Sequence, residues 1–298
     1  MSYYFKIENI EYVLGEKKID LSKLIENYEK TVLVTGIENI YETEKNSTEL
    51  AILAAQKILK NTKIQPKALI YVTQSQDYVL PGSATIIHER LNLPSDCMTL
   101  DINSGCSGFA QALLLSSQII KEYEYILIIC SDTYRKKVDK SDRSTFSVFS
   151  DGASAVLVSN EKKIHIKNKY IQTVGSGKKM LFQEYNKSIK MSGRELWDFT
   201  RQHVVPDINS LITINNITGD KNQLNIFMHQ ASKLVVEGIS KELQGNIKIF
   251  KNYQNVGNTV SSSVPILIKE SGVDINECSS IISGFGVGIM SYNLLLTN

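Results

Sequence analysis

The run Tyr125-Ile-Leu-Ile-Ile-Cys130 offers no charged position to water. Side chains of a strand alternate between its two faces. A run that is apolar throughout therefore belongs to a strand covered on both, as in a largely parallel sheet flanked by helices. Ala68-Leu-Ile-Tyr-Val-Thr73 and Ala153-Ser-Ala-Val-Leu-Val158 share this character.

Helical patterns separate these runs. Residues 48–60 place Leu50, Ala54 and Ile58, and also Ala51, Ala55 and Leu59, at four-residue spacing behind the capping candidates Asn46 and Ser47. Residues 83–91 and 108–123 predict further helices, and Cys97-Met-Thr-Leu-Asp101 a short strand. The second half repeats the order, with a strand over 224–228, helices over 232–243 and 259–271, a strand over 280–283 and a closing segment over 288–296. This alternation predicts an α/β protein built from two halves, 1–162 and 163–298, divided in the Lys-rich stretch 160–169 unless that stretch is a surface loop. If the halves are related by a pseudo-two-fold, Cys106 heads the buried helix of the first and Asn258 heads its counterpart in the second. Two helix N-termini then face one centre, a favourable place for a thiolate and a developing oxyanion.

At 298 residues, 42% of them hydrophobic, the chain can bury a large core. Its 33 basic and 31 acidic residues are interspersed and leave a net charge of +2, which argues against a nucleic-acid or membrane-surface partner. The first 18 residues carry acidic and polar groups where a secretory signal needs an unbroken apolar stretch, so an uncleaved strand is expected there. No apolar run approaches the roughly 20 residues of a membrane span. Cys97, Cys106, Cys130 and Cys278 show no CxxC spacing, which fits reduced thiols in the cytoplasm.

One of these thiols stands out by its neighbours. In Leu100-Asp-Ile-Asn-Ser-Gly-Cys-Ser-Gly-Phe109, Cys106 sits where an extended segment turns into a helix, among small residues that let a substrate approach. Unpaired amides at a helix N-terminus are expected to lower its pKa. A small packing cysteine is the alternative. Two segments supply partners: Phe227-Met-His-Gln-Ala-Ser232, where His229 ends an apolar strand, and Asn255-Val-Gly-Asn-Thr-Val-Ser-Ser-Ser263, where Asn258 begins a helix. Alone, the histidine reads as a core hydrogen-bonding group and the asparagine as a cap. Together with the cysteine they make a nucleophile, a proton-sharing imidazole and a neutral amide donor, the three groups that thioester chemistry uses. Gly284-x-Gly-x-Gly lacks the spacing of a dinucleotide fingerprint. Asp151-Gly152 reads as a structural turn, and His88, His165 and His203 as surface or packing residues.

These segments, in order, resemble the β-ketoacyl-acyl-carrier-protein synthase III family of the thiolase-like superfamily. Asp101-Ile-Asn-Ser-Gly-Cys-Ser-Gly-Phe is similar to its nucleophile motif, Phe149-Ser-Asp-Gly-Ala-Ser-Ala to FGDGAGA, and His229-Gln-Ala-Ser to HQAN. Gly257-Asn-Thr-Val-Ser-Ser-Ser-Val-Pro265 is similar to GNTSAASIP, and Gly284-Phe-Gly-Val-Gly288 to the glycine-rich closing loop. The resemblance implies a thiolase-like, five-layered αβαβα fold of two pseudo-repeated halves, a homodimer and a ping-pong reaction. Cys106 would accept an acyl group from coenzyme A or the phosphopantetheine arm of an acyl carrier protein. His229 and Asn258 would bind the malonyl thioester and stabilise the enolate formed as carbon dioxide leaves, and the backbone N–H groups of Cys106 and Gly286 would form the oxyanion hole. No metal or tightly bound redox cofactor is implied, because decarboxylation itself supplies the carbanion.

The sequence also departs from the family. Arg143, which the resemblance places on the adenine of coenzyme A, is retained. Lys30 or a neighbour stands where a Trp is usual, Glu38 and Leu234 replace basic residues, and Ser291 and Tyr292 replace a Trp-Gly pair. A specialised enzyme of fatty-acid, polyketide or other biosynthesis is expected rather than the housekeeping initiator. Decarboxylative condensation takes precedence over plain acyl transfer to a hydroxyl or amine, since His229 and Asn258 are both present. A silent scaffold paired with an active homologue would have no reason to retain all three site residues.

Overall fold

The structure is a computed structural model that describes residues 3–24, 28–60, 62–217 and 223–298. The first half contains β1 (Tyr4–Leu14), α1 (Ser47–Leu59), β2 (Ala68–Val72), α2 (Ser83–Arg90), β3 (Met98–Ile102), α3 (Gly108–Tyr123), β4 (Tyr125–Asp132) and the start of β5 (Gly152–Thr173). The second half contains the rest of β5, then α4 (Val205–Ile217), β6 (Leu224–Met228), α5 (Lys233–Glu242), β7 (Ile247–Ile249), α6 (Ser263–Ser271), β8 (Ser280–Gly286) and β9 (Met290–Thr297).

Strand order demonstrates the repeat. In the first half it is β3-β2-β4-β5-β1, and in the second β7-β6-β8-β9-β5. In both halves the second strand pairs parallel with the third and fourth, and the remaining pairs are antiparallel. β5 joins the halves, because residues 152–159 pair with β4 and residues 165–173 with β9. The division drawn at 162/163 thus falls inside a continuous strand. Its Lys-rich stretch is strand rather than loop, with the polar residues on its exposed side.

Period-two burial then sets the layers. Ile70, Val72, Ile126 and Ile128 point to a central core that also holds Phe109 and Leu113 of α3, Val264 and Leu267 of α6, and Phe227, Ile282 and Leu294 of the second sheet. Leu69, Tyr71, Leu127 and Ile129 point the other way, onto α1 and α2. Ile226, Met228, Ile281 and Leu295 pack against α4 and α5. Two sheets therefore enclose α3 and α6 and are covered outside by one helix pair each, which is the five-layered arrangement. Asn46 and Glu49 form a reciprocal capping box at the start of α1. The helix expected over 259–271 opens as a tight turn, Val260–Ser262, before α6 begins. The helices Gly193–Phe199 and Val205–Ile217 were not anticipated from the sequence. Among the described residues no helix is long and apolar enough to cross a membrane.

Candidate active site

The repeat puts the candidate residues at related places. Cys106 lies between β3 and α3, Asn258 between β7 and α6, and His229 directly after β6. The segment 283–287 at the end of β8 meets both His229 and Cys106. The Ser283 carbonyl accepts the His229 N–H at 2.8 Å. The Phe285 ring meets the imidazole edge to face at 5.7 Å between centroids. Gly284 lies so close to the Cys106 carbonyl that a Cβ there would stand 2.9 Å from its oxygen. Gly286 has φ +150°, and a Cβ on it would come within 3.2 Å of the Cys106 sulfur. Glycine is required there by both backbone conformation and space.

His229 is buried, with Nδ1 2.7 Å from Ser263 Oγ in the first turn of α6, which leaves Nε2 toward the site. Burial pushes its pKa down to about 3, so the imidazole is neutral at physiological pH. Asn258 is held by its backbone, which donates to the Val148 carbonyl at 3.0 Å and accepts from the Ser150 N–H at 2.9 Å. Its side-chain oxygen accepts the Val260 N–H at 2.9 Å, so the NH2 group is the part left to act on a ligand. Val260 adopts φ +54°, a costly conformation for a β-branched residue and one that tends to mark functional loops.

The electrostatics of Cys106 differ from the expectation at a helix N-terminus. Burial, and then the charge of Asp132, push the thiol up to about 12, while the backbone N–H groups of Val287 and Cys106 act in the opposite direction. Desolvation outweighs the dipole because the residue is only 4% exposed. The resting pair is thus a thiol and a neutral imidazole, and Cys106 must lose its proton as it reacts. The second amide that meets the sulfur belongs to Val287, one residue beyond Gly286.

Asp132, Gln74, Ser261 and Tyr134 were not singled out from the sequence. Asp132 closes the apolar strand β4, and a carboxylate at that point was the available signal. Its carboxylate accepts the Gln74 N–H at 2.8 Å and the Ser75 hydroxyl at 3.3 Å. It also accepts the Ser261 N–H at 3.3 Å and the Ser261 hydroxyl at 2.6 Å. One buried group thereby ties the ends of β2 and β4 to the Asn258 loop, and burial raises its pKa to about 6. Asp151 plays a similar tying part, accepting the N–H groups of Arg135 at 2.9 Å and Thr43 at 3.1 Å. Arg143 stands apart, exposed at the start of the short helix Arg143–Phe146, and Lys30 is exposed on the helix Tyr28–Thr35.

Two sheets of like strand order, with a cysteine and an asparagine heading the paired central helices, define a thiolase-like acyltransferase. Residues 100–175 match the sequence model of 3-oxoacyl-[acyl-carrier-protein (ACP)] synthase III, and over nearly its whole length the chain is similar to β-ketoacyl-acyl-carrier-protein synthases III. It is 28% identical to the β-ketoacyl-[acyl-carrier-protein] synthase III of Streptococcus uberis, over 98% of this chain and 99% of that one. The solved 3-oxoacyl-[acyl-carrier-protein] synthase III from Aquifex aeolicus is 27% identical and superposes with a TM-score of 0.85 over 99% and 100% of the two chains. The priming β-ketosynthase of the R1128 polyketide biosynthetic pathway, at 16% identity, shares the fold with a TM-score of 0.87 over 99% and 96%.

Proposed function

We propose that Cys106 carries an acyl group as a thioester and that the enzyme condenses it with a malonyl thioester by decarboxylation. The observation that carries this reading is that segment 283–287 meets both Cys106 and neutral His229, while the Asn258 loop reaches the Cys106 segment through Val260. In the first half-reaction the Cys106 sulfur attacks the donor thioester carbonyl, and the donor thiol leaves with the proton. The amides of Cys106 and Gly286 donate to the oxyanion of the tetrahedral intermediate. In the second, the malonyl carbonyl oxygen receives hydrogen bonds from the Asn258 NH2 and from His229 in its Nε2–H form. Carbon dioxide departs, the enolate forms, and its carbon attacks the acyl-cysteine and expels the thiolate. Burial favours the neutral imidazole, which donates without carrying a charge into a dry site.

Similarity to β-ketoacyl-acyl-carrier-protein synthases III supports acyl carrier protein and coenzyme A thioesters as the partners, with fatty-acid or polyketide biosynthesis in the cytoplasm as the setting. Arg143 contacts the donor in this reading. A homodimer is proposed as well, supported by the apolar run Tyr78, Val79 and Leu80, which is 58%, 87% and 83% exposed in the single chain. Intact-mass measurement after incubation with acyl-CoA and acyl-carrier thioesters tests the first half-reaction. One acyl increment is expected on the wild type and none on Cys106→Ala. An unmodified wild type with every donor would leave the scaffold reading standing instead.

A further inference from the structure

A cavity of about 800 Å3 opens beside the candidate nucleophile, and Gln74, Tyr134 and Val287 stand in its wall. Each of the three also reaches the Cys106 segment. The Val287 N–H acts on the sulfur. Tyr134 packs in the same cluster as Cys106. Gln74 Oε1 lies where a Cβ on Gly105 would meet it at 2.5 Å. The space one side chain away from the sulfur is where an acyl chain on Cys106 has room to extend.

Apolar side chains, Leu181, Ile189 and Val287, form one part of that wall, and hydrogen-bond donors form another. The Tyr134 hydroxyl donates to Gln74 Oε1 at 2.8 Å and so occupies the amide oxygen. The Gln74 NH2 group has no acceptor among the described residues. Lys137 also lines the cavity, half-buried, and its ammonium donates to the Gln74 carbonyl. No carboxylate of the described residues lies within 4.0 Å of it, so its remaining ammonium hydrogens are available to a ligand in the cavity. A hydrocarbon chain laid against these groups would strip their water and return nothing. Each such unmet donor costs about 1–3 kcal/mol, or about 5- to 160-fold in rate.

We propose that the acyl group accepted on Cys106 carries a neutral oxygen, as a hydroxyl or ketone within a few carbons of the thioester, received by Lys137 and Gln74. A carboxylate fits less well, because Asp77, Asp101 and Glu184 line the same cavity and Asp132 lies behind Lys137. The inference rests on the acyl-cysteine reading above. The loading step is ordinary thioester exchange: the Cys106 S–C bond forms as the donor S–C bond breaks, and the proton passes to the departing thiol.

The test compares acylation rates of Cys106, followed by intact mass, with pantetheine thioesters of butyrate, 3-hydroxybutyrate, 4-hydroxybutyrate and succinate. A hydroxylated chain is expected to load about 10-fold faster than butyryl. In Lys137→Met and Gln74→Leu that ratio is expected to fall toward one, a readout that general loss of folding would not reverse. Butyryl loading as fast as either hydroxyacyl thioester would overturn the inference while leaving the acyl-cysteine reading intact. A succinyl preference would overturn it in favour of an anion site. Loading by none of the four, nor by the acyl-CoA panel, would overturn both together.

Discussion

Asn258→Ala is expected to lower the rate of malonyl decarboxylation by about 100- to 1000-fold, the loss typical of one oxyanion donor in a water-excluded site. The same variant should still form the acyl-enzyme on Cys106. The reason is a division of labour in the geometry. The amides that meet the sulfur come from Cys106 and Val287, whereas the Asn258 NH2 group is offered from the other half of the molecule. Its side-chain oxygen is engaged by the Val260 N–H, so alanine also loosens a loop held at an unfavourable φ. Acylation and decarboxylation should be measured separately, by mass and by carbon dioxide release. A parallel fall in both would show that Asn258 serves only to shape the site.

Asp132→Ala is expected to destabilise the protein by about 3–5 kcal/mol, since removing a buried acceptor strands its donors at about 1–3 kcal/mol each. Two of these donors are the backbone N–H groups of Gln74 and Ser261, which belong to different halves. Asp132→Asn keeps one acceptor and should fall between. The carboxyl also has a pH signature. Its pKa of about 6 exceeds the unfolded value, so the native state binds more protons between about pH 4 and 6, and its contribution to stability falls as pH rises through that window. Denaturant titration across pH should show this slope in the wild type and not in the asparagine variant. Because the charge of Asp132 helps to hold the Cys106 thiol up, Asp132→Asn should also speed Cys106 alkylation at fixed pH. An alanine variant as stable as the wild type would remove Asp132 from this account.

The fold was legible where burial leaves a simple pattern. β2 and β4 are apolar on both faces and β6 likewise, so their existence and order followed from composition alone. α3 begins and ends where the Ala- and Leu-rich run does. β5 was cut short because its second part has one exposed face rich in Lys and Asn, which reads as a linker until its partner β9 is known. The candidate site was legible as three residue types in three motifs, because small residues beside a reactive one survive as a local pattern. What had no local pattern was direction. That the Val287 amide acts on the sulfur depends on how the chain turns after Gly286. The raised pKa of Cys106 depends on burial by elements far away in sequence. Gln74 and Lys137 each follow a strand as an ordinary polar residue would, and only the parallel packing of β2 beside β4 brings them to one cavity wall.

The central claim is that one molecule both holds an acyl group on Cys106 and extends it by two carbons. The direct measurement supplies purified enzyme with an acyl thioester that loads Cys106 and a malonyl thioester labelled in its free carboxyl carbon, and follows labelled carbon dioxide together with the mass of the thioester product. The account predicts one carbon dioxide released for each 3-ketoacyl thioester formed, with no ketoacyl product from Cys106→Ala. Acyl transfer to an acceptor with the malonyl carboxyl left intact would contradict it and establish a non-condensing acyltransferase.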